Sequence, residues 1–382
     1  MKRALWFLTI FTVVMSLFYL EPIYFPLTEA TQSANPQPTD TLPNDSSNAI
    51  TPLNYDKLTA AGFSVYINKP VSDLEKVFGK PINTQETGLG YTIGNYEDGI
   101  RDLFIEVNIK ADLVQSIKVA GKSTDKIAPF DFGMSLSELT DITTLFFHFD
   151  FDYKEESFDI ELTEEDQNYR PLIAFDNETF AILFFGQDHN ELYAVDYLNK
   201  ETLLRLMPYQ INSENTLAYK LSDFSEEKWQ EIANQNALRS KMLIAYLREQ
   251  EGYDSYVSNL ELQLAASQLI EALNENQIPL VTESSKKTWQ SIIPEKENGP
   301  ASLLTTDAFL LDNEELEKER VIIAAKPIID PSFTIFWWYS DPYLHSRFIS
   351  NENQRLEIAF AKESMIVLLE KEMQETDESE TQ

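Results

Sequence analysis

The sequence predicts an α+β fold: a β-rich first domain built of two repeated helix-plus-antiparallel-sheet units, then a helix-rich second half. Three observations predict it. From about Gly62 to Tyr209, short segments alternate apolar and polar residues with the two-residue period of a strand. Two short helical stretches, near Ser72 and near Ser135, open two similar successions of elements. From Phe224 the period becomes that of amphipathic helices.

The N-terminus comes first. Lys2 and Arg3 precede an uncharged apolar run from Ala4 to Leu20. At about 1.5 Å of helix rise per residue, this run just reaches across a bilayer's hydrocarbon core. The positive charge before it holds that end in the cytoplasm and sends the rest of the chain across. Trp6, Tyr19, Tyr24 and Phe25 stand where interfacial aromatics belong. Residues 1–27 therefore read as a signal anchor. A cleaved signal peptide is the alternative, because the run is short, although Thr28-Glu29-Ala30 is a weak cleavage site. Residues 28–55 are rich in Ser, Thr, Pro and Asn and form a spacer that buries too little to fold. Either way, the folded part is expected outside the cytoplasm, with the membrane as its partner through residues 4–20.

Charge and composition narrow the function. The chain has 63 acidic and 30 basic residues, a net charge of -33. Such a surface repels phosphate backbones, and beyond Lys2-Arg3 no basic run exceeds Lys286-Lys287, so a nucleic-acid partner is not expected. There is no cysteine, which removes disulfides, thiolate metal sites and cysteine nucleophiles. A histidine-based site must draw on His148, His189 and His345.

In the first domain, residues 56–218, Ser72 to Phe78 is a short helix with Ser72 as N-cap and Gly79 as its stop. YTIGNYE, LFIEVNIK and LVQSIKVA then read as a meander. The pattern recurs: Gly133 to Leu139 matches Asn68 to Leu74 in role, and FFHFDFDY, SFDIEL, RPLIAFD, TFAILFFG and LYAVDYL follow as strands. Gly88 to Gly94 has near-dinucleotide glycine spacing but no strand-then-helix context, so it reads as a hairpin turn. Asp150, Asp152, Glu155, Glu156 and Asp159 alternate with aromatics and read as a solvated strand face rather than a calcium loop. His148 lies in that strand and His189 in a turn, both in structural or exposed roles. The Gly-Lys-Pro turn, the helix at MSLSEL and the closing stretch from Tyr193 to Tyr209 resemble the CAP-associated N-terminal domain of exported Firmicutes proteins, over about residues 62–212.

In the second half, Leu238, Met242, Ala245 and Tyr246 fall on one face of a helix that Gly252 ends. Leu262, Ala265, Ala266, Leu269 and Leu273 fall on one face of the next. Both stripes read as core. Asn236-Ala237-Leu238-Arg239, the Gly252–Tyr256 loop, the Ala-rich second helix, the Trp338 to Arg347 stretch and Glu357 to Ala361 resemble, in order, the landmarks of a CAP (SCP/CRISP/antigen 5/PR-1-like) domain. The resemblance implies a CAP-like α-β-α sandwich over residues 224–373, followed by an acidic tail, 374–382.

That resemblance also implies a cleft with two His and two acidic residues able to bind a divalent metal. Here the departures dominate. The first His is expected near Leu280 or Val281, yet no His lies between His189 and His345. Glu297-Asn298 precedes a glycine instead of following one, and Tyr343-Leu344 replace the glycine of the third motif. The candidate cleft residues are His345, Ser340, Asp341 and Glu357. A lone His with scattered carboxylates falls short of the three or four convergent ligands that zinc wants, so no cofactor is expected beyond residual divalent-metal binding at His345.

Three functions follow. The leading one is a non-enzymatic binding or interaction module at the cell surface, with an envelope or cell-surface protein as partner. A CAP-domain hydrolase or metal-dependent enzyme acting on envelope material requires acidic groups such as Asp341 or Glu357 to converge on His345. Binding of a small apolar ligand or lipid would use the Phe333–Tyr339 run, which reads more simply as buried strand or helix.

Overall fold

The computed structural model describes residues 55–98, 103–122, 125–187, 189–212, 217, 219–274, 281–292, 301–309, 320–350 and 353–371. The expected anchor, most of the expected spacer and the acidic tail lie outside the described residues. Among the described residues, no helix is long and apolar enough to cross a membrane.

In chain order the first domain runs β1 (Lys57–Leu58), α1 (Val71–Phe78), β2 (Asn83–Glu86), β3 (Thr92–Asp98), β4 (Leu103–Lys110) and β5 (Leu113–Ala120). Then come α2 (Leu136–Ile142), β6 (His148–Tyr153), β7 (Glu156–Glu161), α3 (Glu164–Tyr169), β8 (Leu172–Phe175), β9 (Thr179–Phe185), β10 (Leu192–Asn199), α4 (Lys200–Leu206) and β11 (Gln210–Ile211). The predicted strands fall where the alternation placed them. One cap does not: α1 starts after Pro70, and Ser72 is its second residue. Proline pre-sets the backbone for a helix start and needs no side-chain bond there. In α2, Ser135 and Glu138 form a reciprocal capping box.

The two units join into one eight-stranded sheet, ordered β1-β8-β9-β10-β5-β4-β3-β2. The repeat is visible in backbone bonds. Asn68 N–H donates to the Val114 carbonyl and Val114 N–H to the Lys69 carbonyl, both at 2.9 Å. In the second unit, Gly133 N–H donates to the Leu192 carbonyl at 2.8 Å and Leu192 N–H to the Met134 carbonyl at 2.9 Å. Asn68 and Gly133 both take positive φ, 65° and 84°, which is why Asn and Gly stand at the matching position. Leu74 and Leu139, also matched, are fully buried. Carrying the Val114–Leu192 equivalence four residues along brings Lys118 onto Asp196, and these two are register partners in the central β5–β10 pair. The axis relating the repeats passes between them. The second unit departs from the first by inserting β6, β7 and α3. Its β6–β7 hairpin pairs with β11 in a separate three-stranded sheet.

The two faces of the large sheet differ. Ile105, Val107, Ile117, Val119, Val195 and Tyr197 pack under α1 and α2, with Leu74, Leu139 and Phe130. The opposite face carries Phe180, Ile182, Phe184, Ala194 and Leu198, in one core with the β6–β7 hairpin, where Phe180 meets Phe149 and Phe151, and with the second half of the chain, where Phe184 meets Phe333 and Phe336.

That half runs α5 (Glu226–Gln250), α6 (Leu260–Asn274), α7 (Glu283–Ser291), β12 (Ser302–Thr305), β13 (Arg320–Lys326), α8 (Pro331–Ser340), α9 (Pro342–Phe348), β14 (Asn353–Ala361) and β15 (Ser364–Lys371). Its sheet is ordered β12-β13-β15-β14. Ile323, Val367, Leu369 and Ile358 face α5 and α8, while Ile322, Ala324, Ile366 and Leu368 face α6 and α7. This is an α-β-α sandwich. The Phe333–Tyr339 run is the middle of α8, buried nearly all round, as a helix between two sheets must be.

One stripe is reversed. Leu262, Ala266, Leu269 and Leu273 of α6 are core, as expected. On α5 the core face is instead Trp229, Ile232, Ala233, Leu243, Ile244 and Leu247, whereas Leu238 and Met242 are 59 % and 64 % exposed. The helix has two apolar faces, and the buried one interleaves polar residues, Asn236, Arg239 and Ser240.

Candidate functional site

Three of the four candidate cleft residues fall at the α8–α9 junction, and Glu357 falls in β14. His345 lies in α9, a short helix opened by Asp341 and Pro342. Its ring is buried, with Nδ1 2.8 Å from the Tyr339 carbonyl and the ring edge-on to Tyr339 at 4.9 Å between centroids. Asp341 Oδ1 accepts from the backbone N–H of Tyr343 and Leu344, each at 2.9 Å, so its carboxylate caps α9. Ser340 Oγ donates to the Trp337 carbonyl at 2.8 Å. Glu357 is fully buried in β14 but belongs to another cluster: Lys241 pairs with Oε2 at 2.9 Å, while the Ser258 hydroxyl and the Asn259 backbone N–H donate to Oε1. It anchors the chain entering α6. The two carboxylates that an acid–base site would need are thus engaged at separate helix starts.

Of the expected family positions, Val281 is described and is buried in the core, and Leu280 and Glu297-Asn298-Gly299 lie outside the described residues. Among the described residues, no three His, Asp or Glu side chains gather as a metal site. His148 is half-exposed, 3.9 Å from Asp159, and His189 is exposed in the β9–β10 turn. Asp150 faces partly outward beside Asp159; burial, then that neighbour, raises its carboxyl pKa.

The buried polar chemistry lies elsewhere, where the large sheet meets the second half. Lys118 Nζ sits 2.7 Å from Asp330 Oδ2 and 3.2 Å from Glu106 Oε1. Asn108 donates to Asp330 Oδ2 at 2.7 Å and accepts from Lys118 at 3.2 Å. Arg239 Nε lies 3.2 Å from Glu106 Oε2, and Ser332 Oγ donates to that oxygen at 2.8 Å. Arg239 also donates to Gln85 and Asn236, and Gln85 donates to Asn236 at 2.7 Å. The Asn-x-x-Arg of α5 therefore grips β2 and β4 of the first domain. Asp330 caps α8 by accepting from Phe333 N–H at 3.0 Å.

Charge states follow from these neighbours. Burial opposes the charge on Lys118, but Asp330, Glu106 and Asp196 outweigh it and raise its pKa. Burial also acts against the Asp330 charge; Lys118, the Phe333 N–H and Asn108 overcome it and lower that pKa. At Asp196 burial wins: the carboxyl is pushed up to about 8, with Lys118 and the nearby Ser116 hydroxyl offsetting only part. Asp196 is therefore protonated at neutral pH, facing a lysine that its neighbours already satisfy.

Two of the concavities bear on these groups. One, of 530 Å³, lies between β13 and α9 and is lined by Asp307, Arg320, Tyr343, Ser346 and Arg347, so it is polar and meets the outer side of the helix that carries His345. Arg320 is held there by Glu370 at 2.8 Å. The other, of 890 Å³, runs between α5 and the first domain and includes the exposed Leu238–Met242 stripe. Sequence reading missed both the charged cluster and this groove. Lys118, Glu106 and Asp196 each break an otherwise apolar strand pattern, which is the signal that exposes a polar cluster at a domain contact.

Residues 67–209 match the family model described as CAP-associated N-terminal. The chain is 23 % identical over 175 residues to the uncharacterized membrane protein YlbC of Bacillus subtilis. That match covers 46 % of this chain and 49 % of YlbC, so the chain spans about half the length of the curated relative it matches. Among solved structures it is similar to a cysteine-rich secretory protein from Staphylococcus aureus, at TM-score 0.63 and 16 % identity over 83 % of this chain and 98 % of that one. It is also similar to an extracellular SCP-domain protein from Bacillus anthracis, at TM-score 0.58 and 15 % identity over 88 % of this chain and 100 % of that one. At these identities the structural likeness is one of fold. The chain thus combines a match to the CAP-associated N-terminal model over residues 67–209 with the fold of SCP-domain proteins.

Proposed function

We propose that this protein works outside the cytoplasm, held at a membrane surface by residues 4–20, as a non-enzymatic interaction module. The observation that carries the reading is the commitment of the cleft residues: His345 to the Tyr339 carbonyl, Asp341 to the α9 backbone, Glu357 to Lys241 and Asn259. General acid–base work requires two titratable groups held toward one reacting atom, and these are each held toward their own helix. The interdomain charge cluster supports the same reading, because buried polar contacts through Lys118, Asp330, Glu106 and Arg239 tie the two domains together. The location rests on Lys2-Arg3 before the apolar run and on the polar spacer behind it. It is also in keeping with relatives described as a membrane protein and an extracellular protein.

The test is complementation. The full chain and its His345→Gln variant are expressed in the native host lacking its own copy, with protease resistance as the check of folding. The interaction reading expects both to restore the wild-type phenotype. Loss of function in a folded His345→Gln protein contradicts it.

A further inference from the structure

We propose that the groove between α5 and the first repeat is a docking site for an amphipathic segment of another protein, apolar along one side and basic at the end that lies beside Glu249. This rests on the interaction reading and names its surface and partner chemistry.

The groove is the largest of the open concavities described above, at 890 Å³. Its floor is Tyr96 and Phe104 of the sheet with Ile82, Leu238, Met242 and Tyr246. Leu238, Met242 and Ile82 are 59 %, 64 % and 65 % exposed, a concentration of large apolar side chains that water does not favour. Leu238, Met242, Ala245 and Tyr246 fall at i, i+4, i+7 and i+8, so the stripe runs about 12 Å along the helix, just over two turns. A helix laid beside it meets the stripe with its own i, i+3, i+4 and i+7 positions. Met242, unbranched and polarizable, adapts to differing apolar partners. Asn83, Thr84, Asn95 and Gln235 supply an amide and hydroxyl rim, which suits peptide groups and polar side chains better than an acyl chain.

Charge selects the occupant. Among the described residues, the lining holds one cation, Arg239, which is buried and bonded to Glu106, Gln85 and Asn236. It holds one acid, Glu249, which is exposed. The accessible charge of the groove is therefore negative, in a chain of net charge -33. A second copy brings the same excess against it. A segment with Lys or Arg beside Glu249 gains steering and register.

The experiment uses the full chain in lipid nanodiscs. The probes are two labelled helical peptides of about 15 residues with Leu at i, i+3, i+4 and i+7, one with a Lys-rich end and one with a Glu-rich end. Binding is read by fluorescence anisotropy. The Lys-ended peptide is expected to bind at least about tenfold tighter than the Glu-ended one. Met242→Asp should weaken it by about tenfold or more, and Glu249→Lys should reverse the preference. Both substitutions are at exposed positions, so an unchanged melting curve separates lost binding from lost folding. Binding of neither peptide overturns the proposal, as does equal binding of both or binding insensitive to Met242→Asp. So does displacement of both peptides by a fluorescent fatty acid whose own binding requires Met242, which assigns the groove to lipid. Any of these outcomes leaves the interaction reading standing on another surface; that reading fails instead on tests of His345, not on tests of this groove.

Discussion

Lys118 and Asp196 face each other across the central strand pair of the large sheet, at the point about which the two repeats are related. Both are fully buried, and they occupy the same position in their respective repeats. One position has thus taken opposite characters: a lysine that ties the sheet to Asp330 of the second half, and a carboxyl that remains protonated at neutral pH.

The protonated state of Asp196 makes stability depend on pH. Its folded pKa, about 8, lies above the ordinary 3.8. Between those values the folded state holds a proton that the unfolded state has released, so this group's contribution falls as pH rises through the window and levels off above it. Asp196→Asn removes the titration. Urea unfolding should show the variant gaining on the wild type from pH 5 to pH 8, by on the order of 3–4 kcal/mol at the upper end.

Lys118→Met should destabilise the chain by about 3–5 kcal/mol, because Asp330 and Glu106 would stay buried with their shared cation gone. Adding Asp330→Asn should recover part of that loss, and the double-mutant cycle measures the coupling. Additive effects would mean that the ion pair does not hold the domains together.

How much of this was legible in the sequence follows from which forces are local. Strands such as Leu103–Lys110 and Leu113–Ala120 fell to the residue where alternation placed them, because alternation and turn residues act within a few positions. The repeat was legible as well, down to the match of Asn68 with Gly133. The start of α1 shifted because Ser72 looks like a cap only until Pro70 is weighed as the entry residue. The faces of α5 could not be assigned from the helix itself. Its buried side carries Asn236 and Arg239, which are affordable there only because Gln85 and Glu106, over 130 residues earlier, satisfy them. For the candidate site, the sequence nominated His345, Ser340, Asp341 and Glu357 from order along the chain. Whether such groups converge is decided by three-dimensional placement, and Glu357 faces Lys241 instead.

The repeat makes its own prediction. Leu74 and Leu139 sit at matched positions and are equally buried. Leu74→Ala and Leu139→Ala should each cost about 2–5 kcal/mol by chemical denaturation. The two values should agree within about 1 kcal/mol, since each side chain sits under the same face of one sheet. A large cost at one and none at the other would show that only one repeat carries the sheet's cover.

The most direct test of the central claim, that the CAP-like half is an interaction module with His345 as a packing residue, is calorimetric titration of zinc and of calcium into the full chain, with His345→Gln as the control. The account predicts no saturable heat at micromolar metal that depends on His345. Micromolar or tighter binding abolished by His345→Gln would contradict it, and would return the hydrolase reading to first place.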